Sequence, residues 1–285
     1  MLSIFIMYSP DRKDQLELTL SFLKQMHLYD QCQKTLIVDG KSNIAPDDFE
    51  IMQVPRIKND AFCWGNMWEA GVVTARFDKI LYLDSDRLLP RSYLTQVLDN
   101  LESDSFVFTS RHFMMTKNDI DIIDLVDLLE TPIEEAIFCD AKYAGCLKFE
   151  PRFKEPFPGP GKNVMSGNTA FHKETYYKLG GVDPWYCGHG AYADTDFHMA
   201  AGKAGCKFID LELPEVHCHH LKYEQKNPLT TDELHLLSLD NFIYYVHKWG
   251  LPTILADNIA YECRLLDDPI DYVAQKIKVY ANIAD

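Results

Sequence analysis

Short apolar runs alternate with amphipathic segments along the first third of the chain. Strands are predicted at Leu2–Tyr8, 35–40, 50–55 and 79–83, and helices at 14–28 and 60–76. This alternation is typical of an α/β domain with a mostly parallel central sheet flanked by helices. Ligands of such sheets bind beyond the carboxyl ends of the strands, which is where Asp39, Asp84 and Asp86 stand in this sequence.

The rest of the chain continues the alternation less regularly. The predicted elements are a helix at 91–101, a strand at 105–110, an acidic amphipathic surface helix at 119–130, a loop at 154–162, a strand at 206–216 and a helix at 232–248. The loop contains three prolines and two glycines, which fits either a plain linker or a mobile loop over a pocket. One domain with a C-terminal helical extension is the simplest organisation.

Composition and net charge limit which binding partners and which cellular compartment are expected. The formal net charge of the 285 residues is −15, so the overall field opposes binding of DNA and anionic membranes, although a local basic groove would still permit it. The apolar run at the N-terminus is too short to span a bilayer and lacks a cleavage site, so we interpret it as a core strand. The eight cysteines include no CxxC pair, which favours reduced thiols and a cytoplasmic protein.

The apolar strand 79–83 is followed directly by Asp84, Ser85 and Asp86. Two carboxylates at positions i and i+2 beyond a strand can approach one hard divalent cation such as Mg²⁺ or Mn²⁺. Taken alone, the pattern is more typical of a solvated turn. It becomes a candidate metal site only with further ligands nearby.

Two other segments carry candidate chemistry. His217, His219 and His220 follow the strand 206–216, and imidazole suits Mn²⁺ better than Mg²⁺. A surface histidine cluster is the simpler explanation for them. Asp194 and Asp196 fall in the first turn of a predicted helix, where they either complement the helix dipole or place one carboxylate at a pocket as a general base.

Several segments occur together in an order that carries a family resemblance. They are YSP at 8–10, LIVDGKS at 36–42, KILYLDSDRLLP at 79–90, SGNTAFHKETYYKLGGVDPWY at 166–186, GHGAYADTDF at 188–197, PEVHCH at 214–219 and NFIYYVHKWG at 241–250. In this order the chain resembles a GT-A fold nucleotide-sugar glycosyltransferase, of the inverting group that includes polysaccharide synthases and β4-galactosyltransferases. Residues 111–162 have no counterpart in the resemblance.

The resemblance implies a domain plan and a reaction. It implies a catalytic domain over 1–221, with a nucleotide-binding part at 1–110 and an acceptor-binding part at 111–221, and a helical extension over 222–285 packed on it. The implied activity is hexosyl or pentosyl transfer from a nucleotide sugar, with UDP-sugar as the expected donor, a hydroxyl acceptor and Mn²⁺ or Mg²⁺ as cofactor.

The resemblance also implies a role for individual residues. Asp194 is the expected catalytic base, and the expected metal ligands are Asp84, Asp86 and either His217 or His219. The residues expected to contact the nucleotide sugar are Tyr8, Ser9, Pro10, Asp39, Asn66, Asp84, Ser85, Gly167 and Asn168.

The sequence departs from the family pattern at Ala193, where a glutamate usually precedes the aspartate. This departure affects the expected donor and acceptor preference, and it keeps open a non-catalytic carbohydrate-binding protein on the same scaffold. A metal-dependent nuclease or phosphotransferase would use the same carboxylates. Glycans are the expected acceptors, with a modified DNA base as a weaker alternative. Trp185 and Tyr186 fit acceptor stacking or core packing equally well.

Overall fold

The structure is a computed structural model that describes residues 1–55, 64–109, 111–115, 122–131, 147–149, 167–186, 192–218, 231–251 and 269–281. Its strands are β1 Leu2–Tyr8, β2 Gln33–Asp39, β3 Glu50–Val54, β4 Lys79–Asp84, β5 Arg87–Leu88, β6 Ser105–Phe108, β7 Arg111–Met115, β8 Leu147–Phe149, β9 Asn168–His172, β10 Lys207–Asp210 and β11 Pro214–His217. Its helices are α1 Lys13–Leu23, α2 Trp64–Thr74, α3 Tyr93–Asn100, α4 Ile122–Glu130, α5 Lys173–Lys178, α6 Ala193–Lys203, α7 Thr231–Trp249 and α8 Pro269–Ala281. The Pro- and Gly-rich loop predicted at 154–162 lies outside the described residues.

The central sheet has seven strands in the order β10-β6-β9-β4-β1-β2-β3. It is mostly parallel, as the sequence predicted, and β9 is the antiparallel member between β4 and β6. Every residue of β1 is buried, because β1 lies inside the sheet and both of its faces are covered. Phe5 and Met7 face the core formed with α2, α6 and α7, while Ile4 and Ile6 face the core formed with α1 and α3.

The register of the sheet brings several strand ends to one edge. Met7 pairs with Asp84, and Tyr8 pairs with Val38, the residue before Asp39. The antiparallel β9 begins at this edge, because Asn168 pairs with Leu83. Residues that are far apart in the sequence therefore meet beyond the carboxyl end of β4.

A second sheet of four strands, in the order β5-β11-β7-β8, stands beside this edge. The single strand predicted at 206–216 is wrong: the segment forms β10 in the large sheet and β11 in the small one. The chain turns between them because Glu212 has a positive φ of 53° and its amide donates to the Asp210 side chain at 2.9 Å. This break carries His217 into the small sheet.

The amphipathic helix predicted at 119–130 is α4. Leu125, Leu128 and Leu129 are buried against the small sheet, together with Val216 and Phe113. Only one side of the helix is therefore exposed to solvent, in agreement with its amphipathic spacing of leucines and acidic residues.

The two C-terminal helices complete one of the central cores. Phe242 and Tyr245 of α7 and Tyr280 of α8 belong to the same buried cluster as Trp68 and Phe171. Among the helices of the described residues, none is long and apolar enough to cross a membrane. The cysteines Cys32, Cys206 and Cys218 of this part of the chain are free thiols.

The structure places Trp185 and Tyr186 in the packing against these two helices. The Trp185 ring lies 5.3 Å from the Tyr244 ring and 5.6 Å from the Tyr280 ring, centre to centre. Tyr186 is fully buried and its hydroxyl donates to Asp196 at 3.0 Å. Core packing, rather than acceptor stacking, accounts for both aromatic residues.

The buried imidazole of His198 in α6 leads to a prediction on pH and stability. The rings of Phe106, Phe197 and Phe208 surround it, and neither ring nitrogen meets a hydrogen-bond partner within the described residues. Burial lowers its pKa from 6.5 to about 3. Below pH 6.5 the unfolded chain therefore binds a proton that the folded chain does not, and the folded state loses about 1.4 kcal/mol per pH unit until pH 3.

Replacing His198 by phenylalanine removes this proton linkage and keeps an aromatic ring at the position. In urea unfolding at pH 7, 6 and 5, we expect the free energy of unfolding to fall by about 2 kcal/mol more in the wild type than in His198→Phe by pH 5. Parallel pH profiles of the two proteins would contradict the burial of a neutral imidazole.

Candidate active site

Asp84 and Asp86, at the carboxyl end of β4, lie at the centre of the site. Asp84 is the last residue of β4, and Ser85 and Asp86 form the tight turn before β5. Both carboxylates are largely withdrawn from solvent, with 8% and 1% of Asp84 and Asp86 exposed. The pair is therefore a buried, strand-end feature and not the solvated turn that such a pattern usually forms.

Polar partners orient Asp84. The hydroxyl of Tyr82 donates a hydrogen bond to Asp84 Oδ1, and the Asp84 amide donates to the Gly167 carbonyl at 2.8 Å. Burial and the neighbouring Asp86 charge raise the pKa of Asp84, while Arg87, Tyr82 and Arg12 oppose the rise. Asp84 is thus a carboxylate for which an added positive charge would be strongly favourable.

Asp86 lies among three nitrogen donors. Arg12 Nη1 is 2.5 Å and His217 Nε2 is 3.3 Å from the same oxygen, Asp86 Oδ2. Arg87 Nε is 3.4 Å from the other oxygen, Oδ1. The amide of Cys218 donates to the Asp86 carbonyl at 2.9 Å and holds β11 against the turn. His217 is therefore the described histidine that the fold brings to the aspartates, and His219 lies outside the described residues.

A group of buried polar side chains contacts these carboxylates on the side facing the protein interior. Arg87 faces Asp84 at 3.5 Å and Glu215 at 3.7 Å as well as Asp86, so one guanidinium serves three carboxylates. Glu215 is fully buried and accepts a hydrogen bond from Asn168 Nδ2. The side-chain oxygen of Asn168, Oδ1, in turn accepts a hydrogen bond from the Tyr93 hydroxyl at 3.0 Å. Asn168 is thus buried in the interior next to the site, where it orients Glu215.

Gly167 allows the backbone to approach Arg87. Its φ is +120°, and a Cβ at this position would lie 2.6 Å from Arg87 Nε. A side chain would therefore strain the backbone and displace the guanidinium that faces Asp84 and Asp86.

The residues expected to hold the nucleotide surround the ends of β1 and β2. Tyr8 and Asp39 are both buried at the strand ends, and the Tyr8 hydroxyl donates to the Pro10 carbonyl at 3.2 Å. Ser9 is extended and its carbonyl accepts from the Arg12 amide at 2.9 Å, which starts a 3₁₀ turn over Pro10–Arg12. Burial raises the pKa of the Tyr8 hydroxyl, so Tyr8 acts there as a neutral donor.

The remaining two residues of this expected set have different surroundings. Ser85 is 2% exposed and its carbonyl accepts a hydrogen bond from Thr19 at 3.1 Å, which fixes α1 to the turn. Asn66 is half-buried in the first turn of α2, next to Gly65, which packs on Val182. A direct role of Ser85 or Asn66 with a nucleotide stays a prediction.

The two acidic residues in the first turn of α6 differ in their surroundings. Asp196 is buried and accepts hydrogen bonds from Tyr186 at 3.0 Å, Lys248 at 2.9 Å and Trp249 at 2.7 Å. Asp194 is only half-buried, and its Oδ1 accepts from the Thr195 amide at 2.8 Å. Asp196 therefore anchors α7, and Asp194 is the carboxylate that has access to solvent.

The charge of Asp194 has an effect at the end of β4. Burial raises the pKa of Tyr82 well above its usual value, and the charges of Asp84 and Asp194 add to this effect. The charge of Asp194 thus acts on the same Tyr82 hydroxyl that donates a hydrogen bond to Asp84.

Comparison with solved structures identifies the architecture. GalNAc-T7 with UDP, GalNAc and Mn²⁺ matches with a TM-score of 0.56 at 13% identity, over 86% of this chain and 47% of that one. The mannosyltransferase PcManGT from Pyrobaculum calidifontis with GDP-Man and Mn²⁺ matches with a TM-score of 0.51 at 12% identity, over 99% of this chain and 74% of that one. TarS 1–349 of S. aureus with UDP-GlcNAc matches with a TM-score of 0.51 at 11% identity, over 99% of this chain and 71% of that one.

The chain has the GT-A fold. It spans about half the length (47%) of the GalNAc-T7 chain that it matches. No protein-family model and no curated protein sequence matches it.

Two side chains of the site have the spacing that a divalent cation requires. Among the described residues, no three histidine, cysteine or acidic side chains form a preassembled metal site. Asp86 Oδ2 and His217 Nε2, however, are 3.3 Å apart, and neighbouring ligands of an octahedral cation are about 3 Å apart. One or two protein ligands are usual where substrate phosphates and water supply the rest. Asp86 and His217 therefore fit a cation that is completed by a ligand.

Sequence reasoning did not single out three basic or acidic residues of this GT-A site. Arg87 and Glu215 were inside the segments 79–90 and 214–219, but only the packing shows that they face each other. Arg12 gave no signal, because it is 74 residues from Asp86 in the chain. Arg87 and Glu215 are charged residues within mostly apolar strand segments, and this could have indicated that they are buried and paired.

Proposed function

We propose that the protein is a metal-dependent inverting glycosyltransferase that moves a sugar from a nucleotide-sugar donor to an acceptor hydroxyl. The observation that carries the proposal is the contact of Asp86 with His217, beside Asp84, at the carboxyl end of β4 in a GT-A fold. Structures of similar fold were solved with UDP, UDP-GlcNAc and GDP-Man, two of them with Mn²⁺. UDP is the favoured nucleotide, and a hexosyl or pentosyl group is the favoured cargo.

The chain's own residues suggest how the site would hold the donor. Tyr8 and Asp39 lie at the carboxyl ends of β1 and β2, where the nucleoside would bind, and Ser9 and Pro10 follow Tyr8 in the chain. Asp86 and His217 would hold the cation, and Asp84 would add negative charge beside it. When bound, the cation neutralises the diphosphate oxygens of the donor and of the departing nucleotide.

Asp194 supplies the proton chemistry in this proposal. Its carboxylate accepts the proton of the acceptor hydroxyl while the hydroxyl oxygen forms a bond to the anomeric carbon. The bond from the anomeric carbon to the diphosphate oxygen breaks, and the nucleoside diphosphate leaves with the electron pair. Attack from the face opposite the leaving group inverts the configuration. Gly167 would border the donor sugar in this proposal, because its carbonyl accepts a hydrogen bond from the Asp84 amide and so lies beside the candidate metal site.

The test is a thermal-shift series with UDP, GDP and ADP, each with and without Mn²⁺. A ligand that binds the folded state raises the melting temperature, by several degrees at a hundred times its Kd. We expect UDP with Mn²⁺ to give the largest shift and Asp86→Asn to remove it, while the exposed control Asp99→Asn on α3 keeps it.

The other outcomes of this series separate the rival functions. No shift with any nucleotide overturns the proposal. A shift with UDP and Mn²⁺, but no release of UDP from any UDP-sugar, identifies a non-catalytic binding protein. Hydrolysis of the nucleotide itself, without a sugar product, identifies phosphotransfer chemistry.

A further inference from the structure

Arg12 stands at the position where a cation would bind. It ends the 3₁₀ turn after β1, and its Nη1 lies 2.5 Å from Asp86 Oδ2. That oxygen is also the one nearest to His217 Nε2, at 3.3 Å. Because a cation held by Asp86 and His217 needs the same carboxylate oxygen, Arg12 and the cation compete for one place.

Arg87, the other arginine of the site, differs from Arg12 in its burial. Arg87 is 5% exposed, faces Asp84, Asp86 and Glu215, and is backed by Gly167. This makes Arg87 a permanent part of the protein interior. The side chain of Arg12 is 23% exposed and is attached to a surface turn, so it can leave Asp86 without opening the core.

We propose that Arg12 is an exchangeable counter-ion, which neutralises Asp86 in the empty site and moves to the diphosphate of the donor when the divalent cation takes its place. This inference rests on the proposed function and deepens it, since it assigns a donor-binding residue and a coupling between cation and nucleotide. An arginine beside a bound cation is repelled by it. A diphosphate bound to that cation presents oxygens that suit the planar guanidinium.

The exchange has a thermodynamic consequence. A cation that binds alone must displace Arg12 and leaves its charge without a partner at the site. A nucleoside diphosphate that binds with the cation offers Arg12 a new partner. Cation and nucleotide should therefore bind with positive coupling, and each should raise the affinity of the other by the same factor.

Removal of the Arg12 guanidinium should affect the binding of the cation and the binding of the nucleotide in opposite directions. In Arg12→Gln we expect Mn²⁺ alone to bind about fivefold tighter or more, because nothing competes for Asp86 Oδ2. At saturating Mn²⁺ we expect UDP to bind about tenfold more weakly, because a charged hydrogen bond to the diphosphate is lost. Opposite signs for the two ligands would not follow from general damage to the site.

The experiment measures free Mn²⁺ by electron paramagnetic resonance in titrations of the whole protein without nucleotide, and UDP binding by calorimetry at saturating Mn²⁺. Arg76→Gln is the matched control, since Arg76 is an exposed arginine that pairs with Glu50 away from the site. Unchanged or weaker Mn²⁺ binding in Arg12→Gln overturns the inference, while the proposed function stands if the wild type binds UDP with Mn²⁺. If the wild type binds neither ligand, both proposals are overturned.

Discussion

Replacing Asp194 by asparagine is expected to lower the rate of sugar transfer by about 10²–10⁴-fold, the usual contribution of a general base. The amide has the size and the hydrogen-bonding reach of the carboxylate but cannot take up the acceptor proton. The Thr195 amide, which donates to Asp194 Oδ1 at 2.8 Å, can still donate to the amide oxygen of the variant. The local structure of the first turn of α6 should therefore persist.

The measurement is the release of UDP from whichever UDP-sugar the wild type turns over, together with UDP binding in Mn²⁺ for both proteins. The proposed role requires a loss of turnover with binding and melting temperature unchanged. If Asp194→Asn loses nucleotide binding and turnover equally, Asp194 belongs to the donor site and is not the base. Asp196→Asn, by contrast, should mainly lower the melting temperature, because Asp196 is bonded to α7 through Lys248 and Trp249.

Replacing Lys248 by methionine is expected to destabilise the protein by about 2 kcal/mol, between the values for exposed and buried ion pairs, because the Lys248 side chain is 31% exposed. Lys248 Nζ lies 2.8 Å from Asp183 Oδ2 and 2.9 Å from Asp196 Oδ2, and the Asp196 side chain is only 3% exposed. Methionine keeps the apolar stem beside the surrounding aromatic rings but leaves both carboxylates without their ammonium partner.

Protonation limits the size of this loss. Burial raises the pKa of Asp196 although Lys248 and other donors oppose the rise, so without Lys248 this carboxyl becomes protonated more readily. Asp183 behaves differently, because its bonds from Lys248, Trp185 and Tyr244 outweigh burial and lower its pKa. We therefore expect most of the destabilisation of Lys248→Met to be present at neutral pH.

Urea unfolding at pH 7 checks this prediction, with Lys178→Met as the control. Lys178 pairs with Asp104 at 2.9 Å, but the two side chains are 57% and 50% exposed, so we expect a much smaller loss of stability than in Lys248→Met. Equal effects of the two substitutions would show that the Lys248 cluster does not fasten α7 to the rest of the protein.

Much of the architecture could be predicted from the sequence, because it depends on local chemistry. The alternation of apolar runs and amphipathic segments predicted β1, β2, β3 and β4 and the helices between them, and the buried β1 explains why no polar residue interrupts its interior except Ser3. The prediction failed at 206–216, because an apolar run does not reveal that its two halves belong to different sheets.

The sequence by itself determined which types of residue lie at the strand ends: a tyrosine at the end of β1, an aspartate at the end of β2, and one aspartate at the end of β4 with a second two residues later. Only the tertiary structure decided which of them meet. It brought His217 and Arg12 to Asp86 and paired Asp196 with Lys248 of α7. These contacts join residues separated by between 52 and 131 positions, and they depend on the order and register of strands rather than on local periodicity.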